Sequence, residues 1–493
     1  MTNLPTNLTE LQKDYAVFLP ALSSFYVNVT GKIKNTAGTN DPSVLPQRMP
    51  NTISADAREL DYLEPNALWY YKWSLHSAGH ASLDIEKDLP REHMYRHRNR
   101  ANSFMLGDSG GFQIGKGKWP GDWKANSGCP QAQKKRESVL KWMDEYMDYG
   151  MILDVPAWLS REPEGAKAAQ ISSYQEAVDG TAFNNEYFVN NRNGNCKFLN
   201  VLQGENHAQA DDWYDAMKKF SDPKIYPDAH FEGYGMGGQN ACDVHLILKR
   251  LVTLMHDSLL EKGKHDWMHV LGTGKLEWAG VLTAIQRGVR KLYNENFTVS
   301  FDCASPFLAT SNGQQYTHYR MPHNGKWKYM MEDAPDDKNL SNSTQSFDEH
   351  CENMYDKWIP SPITELMKVK DICVYAPGDL NKIGKEGKTS WDTFSYALLM
   401  NHNMYLHIRS VQETNRLYDD GQFPKELVDD NFDRTEVKDV IAHLFTLDDR
   451  DKQMKLIEDH SRLWMKVIGS RGATGKRTVN ASTQFASLFE EVS

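Results

Sequence analysis

The chain has 493 residues, of which 40% are hydrophobic and 25% charged, and a formal net charge of −10 at pH 7. That composition describes a folded chain with room for one large core and additions. It excludes a membrane span, because no run of eighteen apolar residues occurs, and it excludes a uniformly basic coat. Nucleic acid stays open as a partner, because local patches decide that contact and the total charge does not. Met1 to Gln12 is polar and has no apolar signal core. Cys129, Cys196, Cys242, Cys303, Cys351 and Cys373 are scattered singly, which is neither a disulfide framework nor a CxxC metal pattern. A reducing cytoplasm is the expected location.

In chain order, Phe18 to Leu22 is a first strand or a plug for the bottom of a barrel, and Asn28 to Thr52 reads as loop. Trp69 to Trp73 is aromatic enough for a packed strand or helix edge. Arg91, Arg96, Arg98 and Arg100 then alternate with His93, Tyr95 and His97, as a solvated helix face or a phosphate contact. The run Ser103 to Gly107 ends in Asp108-Ser109-Gly110-Gly111-Phe112-Gln113. Two adjacent glycines allow a tight turn, or let a flat ligand lie against the backbone. The acid, hydroxyl, ring and amide around them suit a polar heteroaromatic ring, and the bland alternative is an ordinary strand-to-loop turn. Gly115 to Pro120 is glycine-rich, basic and aromatic, with Lys116 and Lys118 suited to a phosphate backbone.

A helix is predicted over Lys134–Met147, then a strand at Met151–Leu153 leading into Asp154. Helical sequence from Ala166 to Phe188 precedes a strand, Phe198–Leu202, that ends at Gln203-Gly204. Helix Ala208–Phe220 leads to a short strand near His230–Glu232 and the glycines 233, 235, 237 and 238. Helix Val244–Leu260, strand Trp267–Leu271, helix Glu277–Leu292 and strand Phe297–Phe301 complete a βα repeat. A polar residue or glycine follows six successive strands: Asp108, Asp154, Gln203, Gly237, Gly272 and Asp302. Sites of (β/α)8 barrels are built at the carboxyl ends of their strands. A doubly wound sheet would gather them at one crevice, and no usable GxGxxG or phosphate-loop motif occurs. The predicted fold is therefore α/β, a (β/α)8 TIM-like barrel with insertions and a mainly helical C-terminal extension. Residues 303–370 break the repeat: Ser311 to Thr317 is polar, Lys326 to Met331 is aromatic and basic, and Glu332 to Glu349 is acidic, amide-rich and loop-like. A helix over Trp391–Leu417 carries His402 and His407 in a polar middle, and a basic, glycine-rich segment near the terminus includes Arg471 and Lys476.

Asp108 and Asp302 are the candidate catalytic pair. Paired carboxylates at a sugar carbon serve glycosyl transfer, one attacking the anomeric carbon while the other moves a proton. As a buried structural acid Asp302 would instead need a partner such as Arg320 or Lys291. Asp154 and Gln203 suit a base edge, since a carboxylate accepts two N–H donors and an amide both accepts and donates. Gly237-Gly238 brings a backbone N–H close to a ring. Phe112 and Leu271 are candidates to sandwich its faces, with plain core the alternative for Leu271.

The pair Asp108-Ser-Gly-Gly-Phe-Gln113 and Phe301-Asp302-Cys303-Ala304-Ser305-Pro306 resembles the tRNA-guanine transglycosylase family. Between them the order also agrees: Asp154, Leu202-Gln203-Gly204, Gly237-Gly238 and Leu271-Gly272-Thr273-Gly274. Tyr405-Leu406-His407 is similar to that family's late helix beside its zinc site. The resemblance implies that Asp302 is the nucleophile at C1′ and that Asp108 is the acid/base taking a proton from N9 of an incoming 7-deazaguanine. It implies that Asp108, Ser109, Asp154, Gln203 and the Gly238 amide hold the base, with Phe112 and Leu271 stacking on it.

The chain departs from that pattern in several places. Gly238-Gln239-Asn240 replaces Gly-Leu-Ala, Asp243 stands where a glutamate is common, and Val155-Pro156 replaces Glu-Cys after Asp154. The CxCxxC zinc signature is missing. Cys373 and His407 remain as candidate ligands, with Asp371 a poor stand-in, and two ligands do not make a structural zinc site. No cofactor is expected to be required. These departures, with insertions at 28–65 and 303–370, make the chain similar to the phage and bacterial branch called DpdA-like. The implied partners are guanine-containing DNA and a free 7-deazaguanine such as 7-cyano-7-deazaguanine, in a bacterial or host cytoplasm. The alternatives are the same exchange on tRNA, a hydrolytic N-glycosidase, or a catalytically silent base-binding protein. Arg98, Arg100, Lys116, Lys118, Arg471 and Lys476 are the candidate backbone contacts, and the oligomeric state stays open between monomer and homodimer. The expected divisions are a strand and loop region over 1–65, the barrel core over 66–310, an insertion with a degenerate zinc-like part and late barrel helix over 311–417, and a helical extension over 418–493.

Overall fold

The computed structural model describes residues 4–32, 57–241, 243–374, 391–429 and 435–469. Eight strands form one sheet: β1 (Val17–Pro20), β2 (Trp73–Ser77), β3 (Phe104–Asp108), β4 (Tyr149–Met151), β5 (Lys197–Leu202), β6 (Gly233–Met236), β7 (Trp267–Val270) and β8 (Thr298–Cys303). Their order is β1-β8-β7-β6-β5-β4-β3-β2, and every ladder is parallel. The two outer strands meet where Ala21 bridges Leu75 and the Leu22 N–H donates to the Leu75 carbonyl at 2.9 Å. The sheet thus curls into a nearly closed (β/α)8 barrel.

Helices surround it: α1 (Ser24–Thr30), α2 (His93–Arg96), α3 (Gly111–Gly115), α4 (Pro130–Tyr146), α5 (Pro163–Ala169), α6 (Tyr174–Asn191), α7 (His207–Met217), α8 (Val244–His256), α9 (Leu276–Leu292) and α10 (Ser305–Ser311). An antiparallel hairpin of β9 (Gln314–Arg320) and β10 (Lys328–Asp333) follows, then α11 (Phe347–Met354), α12 (Val369–Ile372) and the 27-residue α13 (Thr393–Asp419). In the C-terminal extension α14 (Val437–Leu444) packs on α9, while α15 (Arg450–Asp459) and α16 (Ser461–Gly469) pack on α8. Among the described residues no helix is long and apolar enough to cross a membrane.

Alternation along each strand decides what enters the lumen. The Phe104 ring of β3 stacks on Trp267 of β7 at 4.5 Å and 12°, and Tyr149 of β4 lies 5.2 Å from Trp267. β7 is a sheet neighbour of neither β3 nor β4, so the three rings meet across the barrel and close its amino-terminal end. On β6 the inward positions are glycines. A Cβ at Gly235 would meet Val201 and Met151, and one at Gly233 would strike the Trp267 carbonyl.

Those glycines explain one difference from the sequence reading. They form the strand itself, where the pattern placed it at His230–Glu232. The Ala166–Phe188 region is likewise two helices, parted by Gln170 in a left-handed conformation (φ 55°). The polar stretches within 303–370 include both strands of the β9–β10 hairpin. Their polarity hid them, because a buried strand was not expected to carry Gln315, Thr317 and His318.

The polar middle of α13 has a structural purpose. Asn401 accepts from the Trp69 indole at 2.9 Å and donates to the Tyr26 hydroxyl at 2.8 Å. His402 sits between the Ser361 hydroxyl and the Tyr316 carbonyl, both at 2.8 Å. Asn403 accepts from the Tyr316 N–H at 2.7 Å and donates to Thr310 at 2.9 Å. Gln412 reaches the Leu8 carbonyl at 2.8 Å, and Asn415 accepts from Thr283 at 2.6 Å. One helix therefore fastens the N-terminal segment, α9, α10 and the hairpin by bonds that a purely apolar helix could not make. Replacing Asn403 with Ala strands the Tyr316 N–H and is expected to lower unfolding free energy by about 1–3 kcal/mol. Urea denaturation checks this, and an unchanged midpoint would contradict the fastening role.

Candidate active site

Asp108 ends β3 beside Ser77, which ends β2 and lies opposite it in the ladder. The Ser77 hydroxyl donates to Asp108 Oδ2 at 2.5 Å and accepts from the Gly79 N–H at 3.1 Å. Gly110 (φ 76°) then starts α3 in a conformation that favours glycine. A Cβ on Gly111 would come within 2.6 Å of the Asp154 carbonyl and 2.7 Å of its carboxylate. The glycine pair thus permits a turn and lets two strand-end loops pack face to face.

Asp302 is the penultimate residue of β8. Its Oδ1 accepts from the Gly272 N–H at 2.6 Å and lies 3.1 Å from Nε2 of the fully buried His269. Burial pushes the Asp108 carboxyl above the usual range, the charge of Asp302 adds to the rise, and the Ser77 bond opposes it. The two acids are thus near enough to interact, and Asp108 is held closer to its protonated form than an ordinary carboxyl.

On the other side, the Gln203 amide donates to Asp154 Oδ2, and its Oε1 accepts from the Ala157 N–H at 2.9 Å. A backbone N–H can only donate, so the amide's orientation is fixed. The Ser109 hydroxyl lies 3.5 Å from Asp154 Oδ1. Ser109 and Gln203 are buried. Burial and the nearby Asp108 charge push Asp154 up to about 7, against the bonds from Gln203 and Ser109. Gly238 (φ 56°) leaves no room for a Cβ, which would lie 2.7 Å from the Gly204 carbonyl. Leu271 donates its N–H to Met236 at 3.2 Å and packs partly on the core. The exposed Phe112 ring lies 6.0 Å from Trp158, and Lys116 Nζ stands 5.6 Å from both ring centres. Asp108, Ser109, Asp154, Gln203 and Asp302 thus form one cluster at the carboxyl face.

The candidate backbone contacts divide between the two ends of the barrel. Arg98 donates to the Ser103 carbonyl at 3.0 Å and to Asp148 at 2.7 Å, while Arg100 reaches the Glu145 carbonyl at 2.5 Å. Ser103 and Asp148 immediately precede β3 and β4, so both arginines stand at the amino-terminal end, away from the carboxylates. Lys116 is on the carboxyl face, 3.9 Å from Glu162, and the exposed Lys118 follows it, its N–H donating to Gln113 at 2.9 Å. Arg471 and Lys476 lie outside the described residues.

The Cys373 thiol donates to the Pro335 carbonyl at 3.3 Å. His407 instead faces Cys303 and the hydroxyls of Tyr316 and Tyr329, at 3.5, 3.4 and 3.1 Å, and burial lowers its pKa to about 3. Each candidate zinc ligand is thus engaged by a different set of neighbours. Among the described residues no group of three or more His, Cys, Asp or Glu side chains could hold a metal ion.

Ser77, Trp158, Trp267, His269 and Ser300 are the site residues that the sequence reading passed over. Alternation was the available signal, since Trp267, His269 and Leu271 share one face of a strand. Searches against models of known families and against curated protein sequences give no match. The fold is a (β/α)8 TIM-like barrel, and its buried charged and polar side chains gather where such barrels carry their chemistry, an arrangement consistent with a catalytic fold.

The raised Asp154 pKa has a thermodynamic consequence. A folded-state value of about 7 against an ordinary 3.8 means that ionising Asp154 opposes folding. Stability from this group is full below the unfolded value and is lost as pH rises through about 7. Asp154→Asn is expected to raise the melting temperature at pH 8 by roughly 2–4 °C and to change it little at pH 4. Calorimetry at both values checks the sign; equal effects at both would contradict it.

Proposed function

We propose that this chain exchanges guanine in DNA for a 7-deazaguanine derivative, 7-cyano-7-deazaguanine foremost, through a covalent bond between Asp302 and C1′. The observation that carries the reading is the division of labour between two neighbouring carboxylates. Asp302 has one oxygen bonded by Gly272 and His269, while Asp108 is pushed toward its protonated form by burial and by Asp302 itself.

In the first displacement Asp302 Oδ2 bonds to C1′ as the C1′–N9 bond breaks. Guanine leaves with the bonding pair on N9, which takes the proton from Asp108. Esterification removes the charge of Asp302, so Asp108 becomes an easier carboxylate as the proton leaves it. In the second displacement Asp108 accepts the N9 proton of the incoming base. N9 bonds to C1′, and the Asp302 carboxylate departs. Two inversions retain the configuration at C1′.

Asp154 accepts the N1–H and amino N–H of the guanine-like edge, in the ionised form that those donors favour, and Gln203 holds it in place. The target nucleotide must leave its stack to reach this depth. The Phe112–Trp158–Lys116 group at the face offers rings and a cation to a flanking nucleotide and its phosphate. The absence of the family's zinc signature and the insertions favour DNA over tRNA.

Labelled 7-cyano-7-deazaguanine, supplied with guanine-containing duplex DNA or with tRNA, tests the proposal. Label is expected in DNA, and Asp302→Asn is expected to reduce its incorporation on the order of a thousandfold or more. Incorporation into tRNA alone would overturn the choice of polymer. Release of free guanine with no uptake of label would instead support a hydrolytic N-glycosidase, and exchange unaffected by Asp302→Asn would remove the assigned nucleophile.

A further inference from the structure

We propose that Trp267, Ser300 and His269 form a hydrogen-bonded column that fixes the tautomer of His269, making it the positioning residue for Asp302. This inference rests on the reading of Asp302 as nucleophile. Neighbouring strands supply the column: His269 on β7 lies opposite Ser300 on β8, with Trp267 and Asp302 two residues away on the same inward faces. From the ring-filled end upward, Trp267 Nε1 is 2.8 Å from Ser300 Oγ, and Ser300 Oγ is 2.9 Å from His269 Nδ1. His269 Nε2 is 3.1 Å from Asp302 Oδ1.

Both ends of the column have fixed polarity. An indole N–H only donates, so Ser300 Oγ accepts from Trp267. An ionised carboxylate only accepts, so His269 must present Nε2–H to Asp302. In a neutral imidazole Nδ1 is then bare, and the one Ser300 proton is directed to it. Ser300 and His269 are fully buried, so no solvent molecule competes for either bond. Ser300 thus acts on Asp302 through the imidazole without touching it.

The result is an asymmetric carboxylate. Oδ1 carries two donors, Nε2–H and the Gly272 N–H at 2.6 Å, and Oδ2 is the oxygen left to meet C1′. When Oδ2 forms its bond to C1′, Oδ1 becomes the ester carbonyl oxygen and keeps both donors. As the ester breaks again, charge returns to a carboxylate whose acceptor is already bonded, which eases its departure. No proton moves along the column during either step.

The test uses the full chain, duplex DNA and labelled guanine as the probe of exchange, with thermal midpoints as the folding control. Ser300→Ala removes the donor to Nδ1 and is expected to lower kcat by about 10- to 100-fold while leaving the KM for guanine within about twofold. His269→Gln, which retains an N–H for Oδ1, is expected to keep clearly more activity than His269→Leu at equal stability. Histidine-selective 15N spectra, assigned by difference from His269→Gln, are expected to show His269 protonated at Nε2 alone, with that preference weakened in Ser300→Ala. Protonation at Nδ1 in the unaltered protein, or identical kcat for Ser300→Ala and the parent, would overturn the proposal. Asp302→Asn separates the two levels. If it abolishes exchange while Ser300→Ala and His269→Leu do not alter it, only the positioning role falls. If exchange survives Asp302→Asn, the nucleophile itself is wrong. The 15N result tests the tautomer in either case.

Discussion

A carboxyl buried away from water resists ionisation, and a second carboxylate close by resists it further; Asp108 meets both conditions beside Asp302. Much of the candidate site is arranged around that constraint. Asp302 receives two donors on a single oxygen, one from a backbone N–H and one from a buried imidazole. Asp108 receives one hydroxyl bond from Ser77, and burial still pushes it toward the protonated form. The asymmetry comes from strand register, since Ser77 lies beside Asp108 in one ladder while His269 reaches Asp302 from another. A third acid, Asp154, is raised by the same burial, and the fixed Gln203 amide faces it.

A barrel that keeps such groups inside needs its walls held firmly, and the polar face of α13 does this where extra apolar area would not. Apolar contacts are tolerant of small shifts, whereas amide bonds to particular backbone groups set a register. Asn403 ties the first strand of the hairpin to α10, and Asn401 reaches the N-terminal segment through Tyr26 and Trp69. The hairpin in turn packs against His407, whose neighbours also include Phe18 of β1 and Cys303, the residue after Asp302. The outward face of β8 is therefore braced directly behind its inward carboxylate.

Much of this was legible in the sequence because it depends on periodicity. Strand and helix alternation located the barrel, and the residues following each strand located Asp108, Asp154, Gln203 and Asp302. Which partners those acids take was not legible, because His269 precedes Asp302 by more than thirty residues and meets it only after β7 and β8 align. The placement of the basic run before β3 was not legible for a related reason. Arg98 is ten residues from Asp108 in sequence, yet β3 lies between them, and five strand residues span roughly 17 Å. Nearness along a strand places residues at opposite ends of a barrel. The polar residues of α13 were not legible as fasteners, since the buried backbone and side-chain groups they bond come from distant parts of the chain.

Exchange differs from hydrolysis only in what reaches C1′ second. On the proposed reading, an ester on Asp302 is open to water as well as to a base, with Asp108 the proton acceptor for both. Discrimination must then come from occupancy: an incoming ring that fills the space against Asp154 and Gln203 leaves no room for water along the same line of attack. That places a demand on Asp154 distinct from catalysis. With a pKa near 7 when the site is empty, it is only partly ionised at neutral pH, and the two N–H donors of a guanine edge draw it to the carboxylate. A ring lacking those donors would have to bind against a carboxyl inclined to keep its proton. On the proposed reading, the burial that destabilises the empty site is also what favours a purine of the right hydrogen-bonding edge over the solvent that would end the reaction.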